Sequence, residues 1–161
     1  MNELVSCDDF LSKEECQILI DYHTSYDNNQ EFYGHPDVPE DYSINTNLNH
    51  HLPKKVRKVR TRCLKELSQQ FGQRIHHDII ALWPTGTEKP MHHDTFPDWS
   101  SGLSSICYLN DDFEGGETVV GDTIVKPKRG KIIAFDGLRI LHGFKKTTGP
   151  RYTYIAWWQE N

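Results

Sequence analysis

The sequence predicts a mostly β domain, a jelly roll or β-sandwich supported by N-terminal helices. Three observations carry that expectation. Two segments with helical spacing fall within residues 1–75, short β-type runs punctuated by turn residues fill 76–161, and 161 residues bury a core without staples. The whole chain reads as one domain, helical support first and jelly-roll core second.

The elements follow in chain order. Ser12-Lys13-Glu14-Glu15 has the form of a capping box, and Cys16, Leu19, Ile20 and His23 continue it at helical spacing, so a helix is expected near residues 13–24. Residues 25–51 are rich in Asn, Asp, Pro and Tyr without a clear period. They suit a long irregular loop or a ragged hairpin, and Tyr26, Phe32, Tyr33 and Tyr42 make this segment the expected cover over a site. Pro53 opens a second helix with apolar Val56, Val59, Cys63, Leu64, Leu67 and Phe71, closed by Gly72. Strands are then expected over Asp78–Trp83, Ser104–Asn110, Glu117–Val120, Lys131–Phe135 and Arg151–Trp158, with Gly115-Gly116, Gly121-Asp122, Gly130 and Asp136-Gly137 between them.

Composition excludes several function classes. A net charge of −5 leaves no global footprint for nucleic acid or an anionic membrane. Seven Lys and Arg residues between Lys54 and Lys65 sit on one helix, but no aromatic side chains alternate with them to stack bases, so they read as its solvated face. No apolar run approaches the roughly 20 residues of a membrane span. The N-terminus MNELVSCDDFLSKEEC lacks the features of a signal peptide, and Cys7, Cys16, Cys63 and Cys107 form no C-x-x-C. Free thiols in a reducing, cytoplasmic setting are expected (the host cytoplasm if the source is viral).

The chemistry gathers around PMHHDTF. In extended backbone residues i and i+2 share a face, so His92 and Asp94 converge while His93 turns away. His142 follows the apolar run KIIAF and, read alone, suits a packed histidine as well as a ligand. Together the three give two histidines and a carboxylate, a set that covers one face of an octahedral ion and suits non-haem Fe(II), though three protein ligands also describe catalytic zinc. Arg151 comes nine residues after His142 and opens the run RYTYIAWW, on which Arg151, Thr153, Ile155 and Trp157 share a face. An inward arginine is costly without an anion, and its fork matches a carboxylate.

At this point the chain resembles the 2-oxoglutarate- and Fe(II)-dependent dioxygenases of the prolyl 4-hydroxylase type, which fold as a double-stranded β-helix. The resemblance rests on DDFLSKEEC, WPTGTEKPMHHD, ICYLNDDFEGGET and HGFKKTTGPRYTYIAWW, in that order along nearly the whole chain. It implies that His92, Asp94 and His142 hold iron, that Arg151 and Tyr108 bind the distal carboxylate of 2-oxoglutarate, and that Thr118 belongs to the same pocket. Trp157 and Trp83 would line the pocket near co-substrate or substrate. Trp83 stands where many relatives carry tyrosine, and arginine stands where the collagen-type enzymes carry lysine one position later. No side-chain general base is implied.

The activity implied is hydroxylation of a prolyl residue in a peptide or protein, consuming O2 and 2-oxoglutarate and yielding succinate and CO2, with ascorbate keeping the iron reduced. A basic helix near the site would favour acidic residues flanking the target. The alternatives are a hydroxylase of free amino acids or another small substrate, a nucleic-acid demethylase, and a non-enzymatic metal-binding jelly roll. No nucleic-acid or membrane partner is expected, and the sequence does not specify an oligomeric state.

Overall fold

A computed structural model describes residues 4–25, 30–35, 37–95 and 102–161. Its elements are β1 (Val5–Cys7), α1 (Lys13–Ser25), β2 (Gln30–His35), β3 (Val38–Asn47), α2 (Lys54–Phe71), β4 (Gln73–Trp83), β5 (Lys89–His92), β6 (Ser104–Tyr108), β7 (Thr118–Val120), β8 (Thr123–Val125), β9 (Ile132–Phe135), β10 (His142–Phe144) and β11 (Arg151–Glu160). Seven strands form the major sheet in the order β1-β9-β6-β11-β4-β3-β2, and four form the minor sheet in the order β5-β10-β7-β8. All strand pairs are antiparallel.

The two helices form as the local sequence dictates. Ser12 and Glu15 close the capping box reciprocally, Glu15 N–H to Ser12 Oγ at 3.1 Å and Ser12 N–H to Glu15 Oε1 at 2.9 Å. Arg62 on α2 then grips Glu15 at 2.7 Å and ties the helices together. Gly72 ends α2 in the left-handed region, at φ 64°, where it donates its N–H to the Ser68 carbonyl at 2.9 Å.

Strand alternation sorts the core into two clusters. On one side of the major sheet Tyr154, Ala156, Trp158, Ile80 and Cys107 meet Leu19 and Cys16 of α1 and Val56, Val59, Cys63 and Leu67 of α2. Between the sheets, Tyr108, Val120, Val125, Ile133 and Phe135 form the second cluster. Cys16, Cys63 and Cys107 are buried on the helical side, and Cys7 on β1 is exposed.

The structure differs from the sequence reading in three places. Residues 1–75, expected as helical support, also carry β1, β2 and β3 of the major sheet; of the two readings offered for 25–51 the hairpin is the one found, formed by β2 and β3. Tyr26 lies outside the described residues. Strands β1, β5, β8 and β10, each of three or four residues, were not anticipated. Lastly, α2 packs behind the major sheet, and none of its residues lines the cavity described below. Its basic face therefore does not flank the site; Arg60 there is committed to Asp78 at 2.8 Å.

Candidate metal centre

The space between the sheets opens into a cavity of about 450 Å³. At one wall His92, Asp94 and His142 bring one donor atom each within 4.8 Å of one another. Cross-strand pairing sets this up: His142 on β10 lies opposite His92, the last residue of β5. Asp94 lies just past the end of β5, where its N–H is held by the Gly137 carbonyl at 2.8 Å. The i, i+2 convergence holds, and His93 is exposed at the cavity mouth.

Both imidazoles are oriented by the backbone. His92 Nδ1 bonds the Pro90 carbonyl and His142 Nδ1 the Ile140 carbonyl, each at 2.9 Å. Each ring thereby commits its Nδ1–H and turns Nε2 towards Asp94 Oδ1, at 3.4 Å and 3.2 Å. Asp94 is fixed in turn: its Oδ2 accepts the Ser104 hydroxyl at 2.6 Å and the Trp157 indole N–H at 3.2 Å. Burial opposes its ionisation, yet the bonds from His142 and His92, the charge of His142 and the Ser104 hydroxyl hold its carboxyl well below the ordinary range. Two imidazoles and a carboxylate converging through Nε2, Nε2 and Oδ1 are a donor set that fits a divalent iron ion.

Gly137 makes this approach feasible. A Cβ at that position would fall against Ser104 Oγ and 2.5 Å from Asp94 Oδ2.

Arg151 lines the same cavity. It is 2% exposed, donates through Nε to the Gly116 carbonyl and through Nη2 to Thr118 Oγ1, both at 3.0 Å, and lies 4.1 Å from the Phe144 ring centroid. Burial pulls its pKa down to about 10. Among the described residues no carboxylate lies within ion-pair range of it. Thr118 shares a short hydrogen bond with the Tyr108 hydroxyl, so the three side chains form one polar cluster. Thr118 and Arg151 line the cavity, whereas Tyr108 does not and contacts it through Thr118.

The other two predicted residues also reach the cavity. Trp83 pairs across the ladder with Arg151, packs edge-on against Phe144 at 4.8 Å, and keeps its buried Nε1–H without a partner. Trp157 lines the wall but spends its polar atom on Asp94, so it orients a ligand as well as shaping the pocket. The sequence reading missed Ser104, Gly137, His77 (stacked on Trp157 at 5.7 Å) and Asn45. Ser104 was accessible to it, as a polar residue sharing the inward face of its strand with Ile106 and Tyr108.

Comparison with known proteins agrees with this geometry. The family described as the 2OG-Fe(II) oxygenase superfamily matches residues 74–159. Human prolyl 3-hydroxylase 2 is 34% identical over 112 residues, covering 60% of this chain and 15% of that protein. The mouse protein of the same name is 33% identical over the same length, with the same coverage. The chain thus spans about 15% of the length of the curated relatives it matches. Among solved structures, a Pseudomonas putida prolyl-4-hydroxylase superposes with a TM-score of 0.79 at 17% identity, over 98% of this chain and 92% of that one. A Trichoplax adhaerens prolyl hydroxylase, in complex with a hypoxia inducible factor peptide fragment, gives 0.80 at 15% identity, over 99% and 84%. At those identities the structural likeness establishes a shared jelly-roll fold.

Proposed function

Because the chain belongs to the 2OG-Fe(II) oxygenase superfamily, we propose that its cavity hydroxylates a prolyl residue within a peptide or protein, using Fe(II), 2-oxoglutarate and O2. The observation that carries the reading is the pairing, in one cavity, of an oriented His92–Asp94–His142 triad with a buried arginine, Arg151, that has no carboxylate partner among the described residues. Iron bound at the triad supplies the oxidative decarboxylation of 2-oxoglutarate to succinate and CO2, one atom of O2 entering succinate and the other a substrate C–H bond.

The protein's own residues bind, orient and shield. His92, Asp94 and His142 hold the metal, with Ser104 and Trp157 fixing the carboxylate. Arg151 meets the distal carboxylate of the co-substrate, and Thr118, aligned by Tyr108, adds a hydroxyl to the same end. The unpartnered Trp83 N–H is a further donor in that wall, one that cannot also accept. Ile79, Ile106 and Ile155 give an apolar face suited to a pyrrolidine ring. The prolyl assignment draws on the printed names of the relatives as well as on this cavity. Ascorbate as reductant and a cytoplasmic setting are part of the proposal, the latter supported by cysteines that form no disulfide.

The test is to incubate the protein with Fe(II), 2-oxoglutarate, ascorbate and a panel of proline-containing peptides. The expected result is succinate release together with the gain of one oxygen atom, localised to proline by fragmentation. Oxidation confined to free amino acids would overturn the peptide assignment.

A further inference from the structure

Strand β3 turns four polar residues in succession, Asp41, Ser43, Asn45 and Asn47, to the inner side of the major sheet. Alternation normally reserves such positions for apolar side chains. Two of the four are satisfied within the chain: Lys89 holds the Asp41 carboxylate at 3.0 Å, and Asn47 Oδ1 accepts the Asn49 N–H at 2.8 Å. Asn45 differs. It is 8% exposed, lines the cavity, and its Oδ1 is buried with no partner. No hydrogen bond joins its side chain to any described residue. A buried unsatisfied carboxamide is costly, and native proteins seldom keep one without a use.

Its neighbours indicate what it meets. Across the ladder Asn45 lies opposite Glu31 on β2 and Ala81 on β4, so one flank is polar and the other small. The next row along the sheet runs from Asn47 through Ile79 and Ile155 to Ile106, an apolar strip on the same cavity floor. A chain laid across this floor sets an apolar ring on the isoleucines and main chain beside Asn45.

We propose that Asn45 reads the substrate's backbone, its carboxamide accepting the N–H and donating to the C=O of one extended residue. A carboxamide offers one acceptor and one donor side by side, the complement of the N–H and C=O that one extended residue turns to the same side. The group read is not the target's own, because a prolyl residue has no N–H. It belongs to a flanking residue, so the site selects a chain over free proline. This inference rests on the prolyl-peptide reading above and adds the residue and the atoms that enforce it.

The test combines Asn45→Leu with peptides in which each flanking amide is replaced singly by an ester, which removes one N–H. In the wild-type protein an ester at one flanking position should raise the peptide KM by about tenfold. Asn45→Leu should raise the KM of the all-amide peptide by about ten- to a hundredfold, and the same ester should then cost nothing more. The KM for 2-oxoglutarate should stay at the wild-type value, and the melting temperature should hold or rise, since a costly unpaired group has been removed. A wild-type peptide KM in Asn45→Leu, or an equal ester penalty in both proteins, overturns the inference while leaving prolyl hydroxylation in place. Should Asn45→Leu fail to fold, the ester series on the wild-type protein decides alone, since no penalty at any flanking position overturns it. If no peptide stimulates succinate release, the reading beneath it falls, and this inference with it.

Discussion

Trp157 donates its indole N–H to Asp94 at 3.2 Å, so an aromatic wall residue also holds the single carboxylate of the candidate iron triad. Trp157→Phe keeps the ring and removes that bond. Supporting bonds of this kind are typically worth about 10- to 100-fold in metal affinity. Anaerobic Fe(II) titration should show a loss in that range with the melting temperature little changed; an unaltered affinity would reduce Trp157 to a packing role.

The neighbouring histidines should separate cleanly. His92→Ala removes a ligand and should abolish Fe(II) binding and turnover, whereas His93, exposed at the cavity mouth, should tolerate Ala with iron affinity intact. Equal loss in both variants contradicts the assignment.

Gly137→Ala places a methyl group 2.5 Å from Asp94 Oδ2. The carboxylate must move, so iron binding should weaken severely while the fold persists. Circular dichroism paired with Fe(II) titration separates this outcome from unfolding.

Arg151 should govern the co-substrate. A charge-assisted pair of this type is worth about 1.5–3 kcal/mol, so Arg151→Met should raise the 2-oxoglutarate KM roughly tenfold or more while Fe(II) still binds. Stabilisation of the wild-type protein by added 2-oxoglutarate, read as a rise in melting temperature, should vanish in the variant.

His23 predicts an acid limb in stability. Burial pulls its pKa down to about 4 from an ordinary 6.5, and the neutral ring bonds the Thr46 hydroxyl at 2.7 Å. The folded state favours the neutral form, so this contribution is complete above the unfolded pKa of 6.5 and is lost as pH falls from there to about 4. Urea midpoints of the metal-free protein should fall across that window, and His23→Gln should flatten the fall.

The features legible in the sequence were those carried by side-chain type and short-range spacing. His92, Asp94, His142 and Arg151 reach one cavity because strand alternation and a few turn residues fix where each side chain points, and Thr118, named through the family resemblance, joins them there. The capping box at Ser12 and the terminal Gly72 of α2 were visible for the same reason. What stayed hidden depended on cross-strand register, which joins residues far apart in the chain. Asn45 faces the cavity because β3 pairs with β4, and nothing near residue 45 announces that partner. Trp157 looked like a pocket wall, and its bond to Asp94 spans a separation of 63 residues. Strands of three residues such as β8 and β10 draw their identity from their neighbours more than from their own sequence.

The seven-stranded sheet also partitions the molecule chemically. Cys16, Cys63 and Cys107 lie on its helical side, and burial pushes the Cys16 thiol to about 11 and Cys63 to about 12 and raises Cys107 well above its ordinary value. Thiolate is the readily oxidised form, so these three sulfurs are both screened and unreactive near neutral pH. Oxidants escaping a misfired turnover would meet imidazole and indole before any of them. Wear from the protein's own chemistry should therefore accumulate at the cavity walls and at exposed Cys7. The helical core should outlast the site it supports.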